Sequence, residues 1–101
     1  MTGEPRVTDN AEKLRYELWL DELPAGFLAY RPEPGALVLT HTEVDPALRG
    51  RGLGSRLLTD AFSDIRSRGL ELVPQCAFVS AYLRRHPEQQ DLVFRAPARD
   101  G

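Results

Sequence analysis

Apolar and polar side chains alternate between Lys13 and Leu20. Leu14, Tyr16, Leu18 and Leu20 share one face, and Lys13, Arg15, Glu17 and Trp19 share the other. That period of two predicts a half-buried strand. Asp21-Glu22-Leu23-Pro24-Ala25-Gly26 reads as a turn, and Phe27 to Tyr30 as a second strand returning as a hairpin. Pro32-Glu33-Pro34-Gly35 makes the next turn, because proline fixes φ and glycine permits positive φ. Ala36 to Val44, ALVLTHTEV, is rich in β-branched residues and forms a third strand. Residues 1–6 read as a loose end, with a short strand over Arg6 to Asp9.

The period then changes. Leu53, Leu57, Leu58, Ala61, Phe62 and Ile65 fall on one helical stripe, opposite Ser55, Arg56, Thr59, Asp60, Ser63, Asp64 and Ser67. Arg66 and Arg68 suit the negative end of the helix dipole, and Gly69 suits the position just beyond it. The pattern predicts a helix from about Leu53 to Arg68. Leu70 to Val73 reads as a short strand stopped by Pro74. Residues 77–86 read as a second helix with Phe78, Val79, Tyr82 and Leu83 as its apolar stripe, ended by Pro87. Leu92-Val93-Phe94 reads as a last short strand, and the tail APARDG as disordered.

These elements make an α/β (α+β) chain: an antiparallel meander, then a βαβ crossover and a C-terminal helix. The crossover should place the strand at 36–44 parallel to the strand at 70–73. With 101 residues, a single domain is expected, its ordered core spanning about 7–95. Net charge is −2, from 13 basic and 15 acidic residues, which argues against general nucleic-acid binding. All basic residues except Lys13 are arginines, and several cluster around residue 50. One cysteine, Cys76, permits no internal disulfide and fits a reducing setting. No apolar run is long enough to cross a bilayer, and the first residues lack the features of a signal peptide. The expectation is a cytoplasmic protein, monomeric unless a dimer forms, with no nucleic-acid or membrane partner and no metal site.

The chemistry concentrates in VDPALRGRGLGSRLL, Val44 to Leu58, where Gly50, Gly52 and Gly54 alternate between strand and helix. A dinucleotide fingerprint fails because the third glycine would fall on Ser55, and a Walker loop fails because Gly54 is followed by Ser55-Arg56. Arg49, Gly52 and Gly54 do meet the pattern Arg-x-x-Gly-x-Gly. Backbone N–H groups of Arg51, Gly52, Leu53, Gly54 and Ser55 at a helix start make an anion site. Glycines let that backbone come close, and Arg49, Arg51 and Arg56 add charge for phosphates. The bland alternative is a plain connecting turn, for which one glycine would suffice.

The Arg-x-x-Gly-x-Gly pattern resembles the acyl-CoA loop of the GNAT acetyltransferase superfamily. HTEVDPALRGRGLGSRLL followed by VPQCAFVSAYLRRHPEQQDLV is similar to the small, single-domain GNAT-like group. The resemblance implies a truncated GNAT-like fold, acetyl-CoA or coenzyme A as cofactor, and a pantetheine arm lying along Glu43, Val44 and Asp45. It also implies a cofactor site running through Arg49, Gly50, Arg51, Gly52, Leu53, Gly54, Ser55 and Arg56. Many superfamily members carry a late tyrosine that protonates the leaving thiolate. Here that place falls near Arg84 or Arg85, and Tyr82 sits on the apolar stripe, which puts the role in doubt.

Acetyl transfer to an amine needs a base to take the amine's proton and stabilisation of the tetrahedral oxyanion. His41 and Glu43 are two apart on a strand and so share a face. Either can serve as base, and the alternatives are a hydrogen-bonded structural histidine and a solvated charge. Cys76 precedes a helix, where a thiol has a lowered pKa and more thiolate. A buried core cysteine is the competing reading, while the resemblance places a cysteine here near the CoA sulfur. Three hypotheses follow: an N-acetyltransferase acting on an amine of a protein or small molecule, a non-catalytic CoA-binding module, and an interaction domain on a degenerate fold.

Overall fold

The computed structural model describes residues 4–94. Five strands form one sheet in chain order: β1 (Pro5–Asn10), β2 (Arg15–Leu20), β3 (Leu23–Glu33), β4 (Ala36–Val44) and β5 (Glu71–Pro74). Two helices complete the chain, α1 (Leu53–Ser67) between β4 and β5, and α2 (Ala77–Arg85) after β5. The β1 to β4 pairs are antiparallel, and β4 to β5 is parallel, as the crossover requires.

All six residues of the predicted α1 stripe are buried. They pack on Tyr16, Leu18, Leu28, Leu37 and Leu39 of the sheet, in one core shared with Val79, Tyr82 and Leu83 of α2. Both helices therefore load the same face, and each fully buried aliphatic or aromatic side chain contributes roughly 1.5–3 kcal/mol. A second set of contacts ties the C-terminal end of α1 to the sheet. Tyr16 donates to Asp64 at 2.7 Å, Tyr30 donates to Asp9 at 2.6 Å, and Arg68 bridges Asp9 and Asp64.

Several boundaries differ from expectation. The first strand is real and begins at Pro5, so Pro5 and Arg6 are not loose. The strand expected from Lys13 starts at Arg15: Lys13 closes a 3-10 turn capped by Asn10, and Leu14 takes φ 54° and stays 43% exposed. Only Asp21 and Glu22 turn between β2 and β3, with Asp21 at φ 57°. Pro24 is tolerated inside β3 because it lies before the β4 pairing begins and next to a bulge at Ala25. The next turn shortens to Pro34-Gly35, with Gly35 at φ 75°. Val93 makes only a single parallel bridge to Leu72 after a 3-10 turn, Pro87–Leu92, in place of a strand. The tail APARDG lies outside the described residues.

One irregularity positions the site. Ala29 pairs with His41 and Tyr30 with Leu39, which leaves Thr40 unopposed as a bulge in β4. A bulge reverses which face each later residue presents. Leu37 and Leu39 enter the core before it. After it, Thr42 and Val44 take the helix side, while His41 and Glu43 take the open side.

Candidate active site

β5 pairs with β4 only from Ala36 to Leu39, extended by one bond from Gln75 N–H to the Leu39 carbonyl. Pro74 ends the strand, since it has no N–H to continue the ladder. Among the described residues, Thr40 to Val44 therefore have β3 as their one strand partner, and a slot opens between β4 and the start of α2. Asp45 N–H is spent on the Ala25 carbonyl at 2.8 Å. Antiparallel bonding alternates, so Glu43 also faces β3, and Val44 and Thr42 turn their backbone groups to the slot. Of the three residues expected along a pantetheine arm, the geometry leaves Val44. It adds Thr42, which the alternation from His41 and Glu43 would have flagged. The Asp45 carboxylate is occupied as well, accepting from Ala47 N–H at 3.0 Å.

The glycine loop lies at the end of this slot. Gly50 and Gly52 stand at φ 83° and 72°, with open space where a Cβ would go. Gly52 is the N-cap of α1 and supplies no side-chain bond, so the first N–H groups of the helix have no acceptor within it. Gly54 is bare for another reason: a Cβ there would lie 2.6 Å from the Phe78 ring of α2. A cavity of about 250 Å³ is bounded by this loop, Val44, Leu48, Phe78 and two arginines, Arg49 and Arg85. Leu53 and Ser55 also border it. Arg51 does not. Arg56 is turned away, donating to Asp60 at 2.8 Å and to the Pro5 carbonyl at 3.1 Å. Phe78 and Arg85 were not expected here; their place at the two ends of a helix facing the loop follows only once α1 and α2 pack.

Cys76 is the N-cap of α2, 9% exposed, with its sulfur 3.4 Å from Thr42 Oγ1 across the slot. Burial pushes the thiol pKa up. The Thr42 hydroxyl and the N–H groups of Val79, Phe78 and Thr42 itself more than offset that, although no side-chain capping bond closes at Cys76, and the net shift is downward. On the opposite face, His41 Nε2 lies 2.7 Å from Glu43 Oε2, both side chains more than half exposed. The Phe27 ring packs against His41 at 5.9 Å.

The model of the family described as GCN5-related N-acetyl-transferase matches residues 15–92, from the start of β2 through the last 3-10 turn. The chain belongs to that family.

Solved structures agree on the fold. The chain is similar to the ribosomal-protein-S18-alanine N-acetyltransferase from Escherichia coli, with a TM-score of 0.60 and 23% identity over 72% of this chain and 51% of that one. It is similar to the ribosomal-protein-alanine N-acetyltransferase from Brucella melitensis biovar Abortus 2308, with a TM-score of 0.54 and 22% identity over 86% and 65%. A GNAT-family protein from Desulfovibrio desulfuricans gives a TM-score of 0.51 and 27% identity over 74% and 52%. The chain thus spans between about half and two thirds of each of these relatives. No helix among its described residues is long and apolar enough to cross a membrane.

Within this GCN5-related domain, Tyr82 stands in the core. Its hydroxyl shares a hydrogen bond with Thr59 at 2.7 Å, and its ring packs edge-on against Phe62 and beside His86. His86 closes α2 and Pro87 opens the following 3-10 turn.

Proposed function

We propose that the chain is an acetyl-CoA-dependent N-acetyltransferase that moves an acetyl group to an amine on a protein or a small molecule. The observation that carries this reading is the slot beside β4, with a lowered-pKa thiol on one side of the strand and a His–Glu pair on the other. The loop fits a pyrophosphate: the uncapped first turn of α1 offers N–H groups, and Arg49 and Arg85 border the cavity. Val44 and Thr42 present backbone groups that an amide-bearing arm would pair with, as an added strand does. Acetyl-CoA supplies an acetyl thioester.

Cys76 acts first. Its sulfur bonds to the acetyl carbon as the bond from that carbon to the CoA sulfur breaks, and the thiol proton passes to the departing sulfur. The acceptor amine then takes the acetyl group and Cys76 leaves as thiolate, which the Thr42 contact stabilises. His41 removes the amine's proton. With Nε2–H donated to Glu43, Nδ1 carries the lone pair that accepts it, and the carboxylate holds the resulting imidazolium. A thiol-dependent reaction suits a reducing, cytoplasmic setting.

The test is calorimetry with acetyl-CoA, followed by mass spectrometry without acceptor. The reading expects binding and an adduct of about 42 Da on Cys76, absent from Cys76→Ala. The burial of Tyr82, which removes a free phenol from the site, favours a second reading: a CoA-binding module without turnover. Binding with neither adduct nor transfer would select it.

A further inference from the structure

The sheet face opposite the helices carries a second cavity, of about 440 Å³, that none of the chemistry above uses. Its walls include Lys13, Arg15, Glu17, Trp19 and Phe27. Two aromatic rings on an open face are each covered by a guanidinium: Arg6 lies 5.6 Å from the Trp19 ring centre, and Arg15 lies 4.9 Å from that of Phe27. The Arg15 Nε donates to Glu17 at 2.8 Å, and Asn10 donates to the same carboxylate oxygen at 3.2 Å. These contacts fix the guanidinium over the ring. The hydrogen bond to Glu17 comes from Nε, so among the described residues the two terminal nitrogens, the fork that binds carboxylates in bidentate fashion, donate no hydrogen bond to a carboxylate.

The register connects this cavity to the site. Arg15 pairs with Ala29, and Ala29 pairs with His41, so the three form one row across β2, β3 and β4. Arg15 and His41 are therefore two strand spacings apart, about 10 Å. Only the small side chain of Ala29 stands between them, and Phe27 packs against both. The cavity walls hold two cations, Lys13 and Arg15, against one carboxylate, Glu17, with Arg6 over the neighbouring Trp19 ring; Glu43, across Phe27 on the same face, is engaged by His41. An amine held at His41 would place whatever lies about 10 Å away under the Arg15 fork.

We infer that the open face selects acceptors by charge: the acceptor amine belongs to an acidic peptide segment whose carboxylate, two to three residues from the modified one, is bound by Arg15 with Lys13 beside it. This rests on the acetyltransferase reading. The spacing follows from a rise of about 3.3 Å per residue in an extended peptide laid on the sheet.

The experiment measures acetyl transfer to two peptide sets, one with a single lysine and a blocked N-terminus, the other with a free N-terminus and no lysine. In each set Glu, Gln or Arg stands two and three residues from the amine. Transfer is read as kcat/KM, with calorimetry of acetyl-CoA binding alongside. The Glu peptides should exceed the Arg peptides at least tenfold at low salt, and the ratio should shrink as salt rises. Arg15→Glu should reverse the preference while leaving acetyl-CoA affinity unchanged. Lys13→Glu, at an exposed turn, should weaken the preference in the same direction and controls for any folding defect in Arg15→Glu. Acetyl-CoA binding with equal transfer to all peptides would overturn the charge selection and leave the acetyltransferase reading intact. Transfer to none of them, or no acetyl-CoA binding, would overturn both.

Discussion

The hydroxyl of Thr42 on β4 lies 3.4 Å from the sulfur of Cys76 at the head of α2. This contact joins the two elements that part at the slot, and it is a principal reason the thiol pKa falls despite burial.

Thr42→Val keeps the shape of the side chain and removes the hydroxyl. The Cys76 pKa should rise, so the thiolate should appear at higher pH than in the parent chain. Cys76 is the one cysteine, which lets thiolate absorbance report it directly against a Cys76→Ala blank. The sign for stability follows from linkage. A thiol depressed in the folded state contributes stability above the ordinary thiol value, about 8.5, and loses it as pH falls through the depressed value. That dependence should shrink in Thr42→Val. An unchanged titration would remove Thr42 from the account.

Gly52 and Gly54 should respond differently to alanine. At Gly52 there is room for a Cβ, but φ is 72°, so Gly52→Ala should cost roughly 1–2 kcal/mol through backbone strain alone. At Gly54 the backbone is helical, and alanine gains about 1 kcal/mol of helix propensity. The new methyl, however, displaces the Phe78 ring toward the cavity. Gly54→Ala should melt within about 1 kcal/mol of the parent and bind acetyl-CoA more weakly. Gly54→Ala with Phe78→Ala should recover affinity. Denaturant melts and calorimetry on the three variants decide it.

The His41–Glu43 pair should separate in kinetics. His41→Ala should lower kcat by roughly 10²–10³-fold at neutral pH, within the range of general-base contributions. Glu43→Gln should lower it less, because the imidazole remains. Neither should alter kcat/KM for acetyl-CoA, since the pair acts only after Cys76 is acylated and both side chains project to the open face, away from the glycine loop. A raised KM with an unchanged kcat would assign them to binding instead.

The α1 stripe from Leu53 to Ile65 could be read from periodicity because a single helix face meets a single core. The parallel placement of β4 and β5 followed from the crossover. Strand ends around Leu14 and Leu23 could not be read this way. They depend on a left-handed residue at Leu14 and on a bulge at Ala25, both set by pairing with neighbouring strands. Within the candidate site, the glycine loop and Cys76 stood out as residue types. Arg85 and Phe78 did not, since a helix-end arginine and an apolar helical residue carry no local mark. They reach the cavity only through the packing of α2 against α1. Arg56 shows the converse: its charge belonged to the right segment, but the helix turns it toward Asp60 and Pro5.

The tyrosine–carboxylate cluster should set an alkaline limit on stability. Burial is the main cause of the raised phenol pKa of both Tyr16 and Tyr30, reinforced by their bonds to Asp64 and Asp9. Tyr30 is pushed up to about 12. A phenol whose folded pKa exceeds its unfolded value, about 10, contributes stability that is full below the unfolded value. That stability is lost as pH climbs through the folded value. Melting temperature should therefore hold up to about pH 10 and fall between there and pH 12. Tyr30→Phe should flatten part of this fall, while costing about 1 kcal/mol at neutral pH for the lost hydrogen bond. Tyr16→Phe should cost at least as much, since Tyr16 is fully buried and its loss leaves Asp64 to Arg68 alone. If both variants keep the parent's alkaline slope, the limit lies with other groups, and the cluster acts through packing of the two rings, whose centres are 5.4 Å apart.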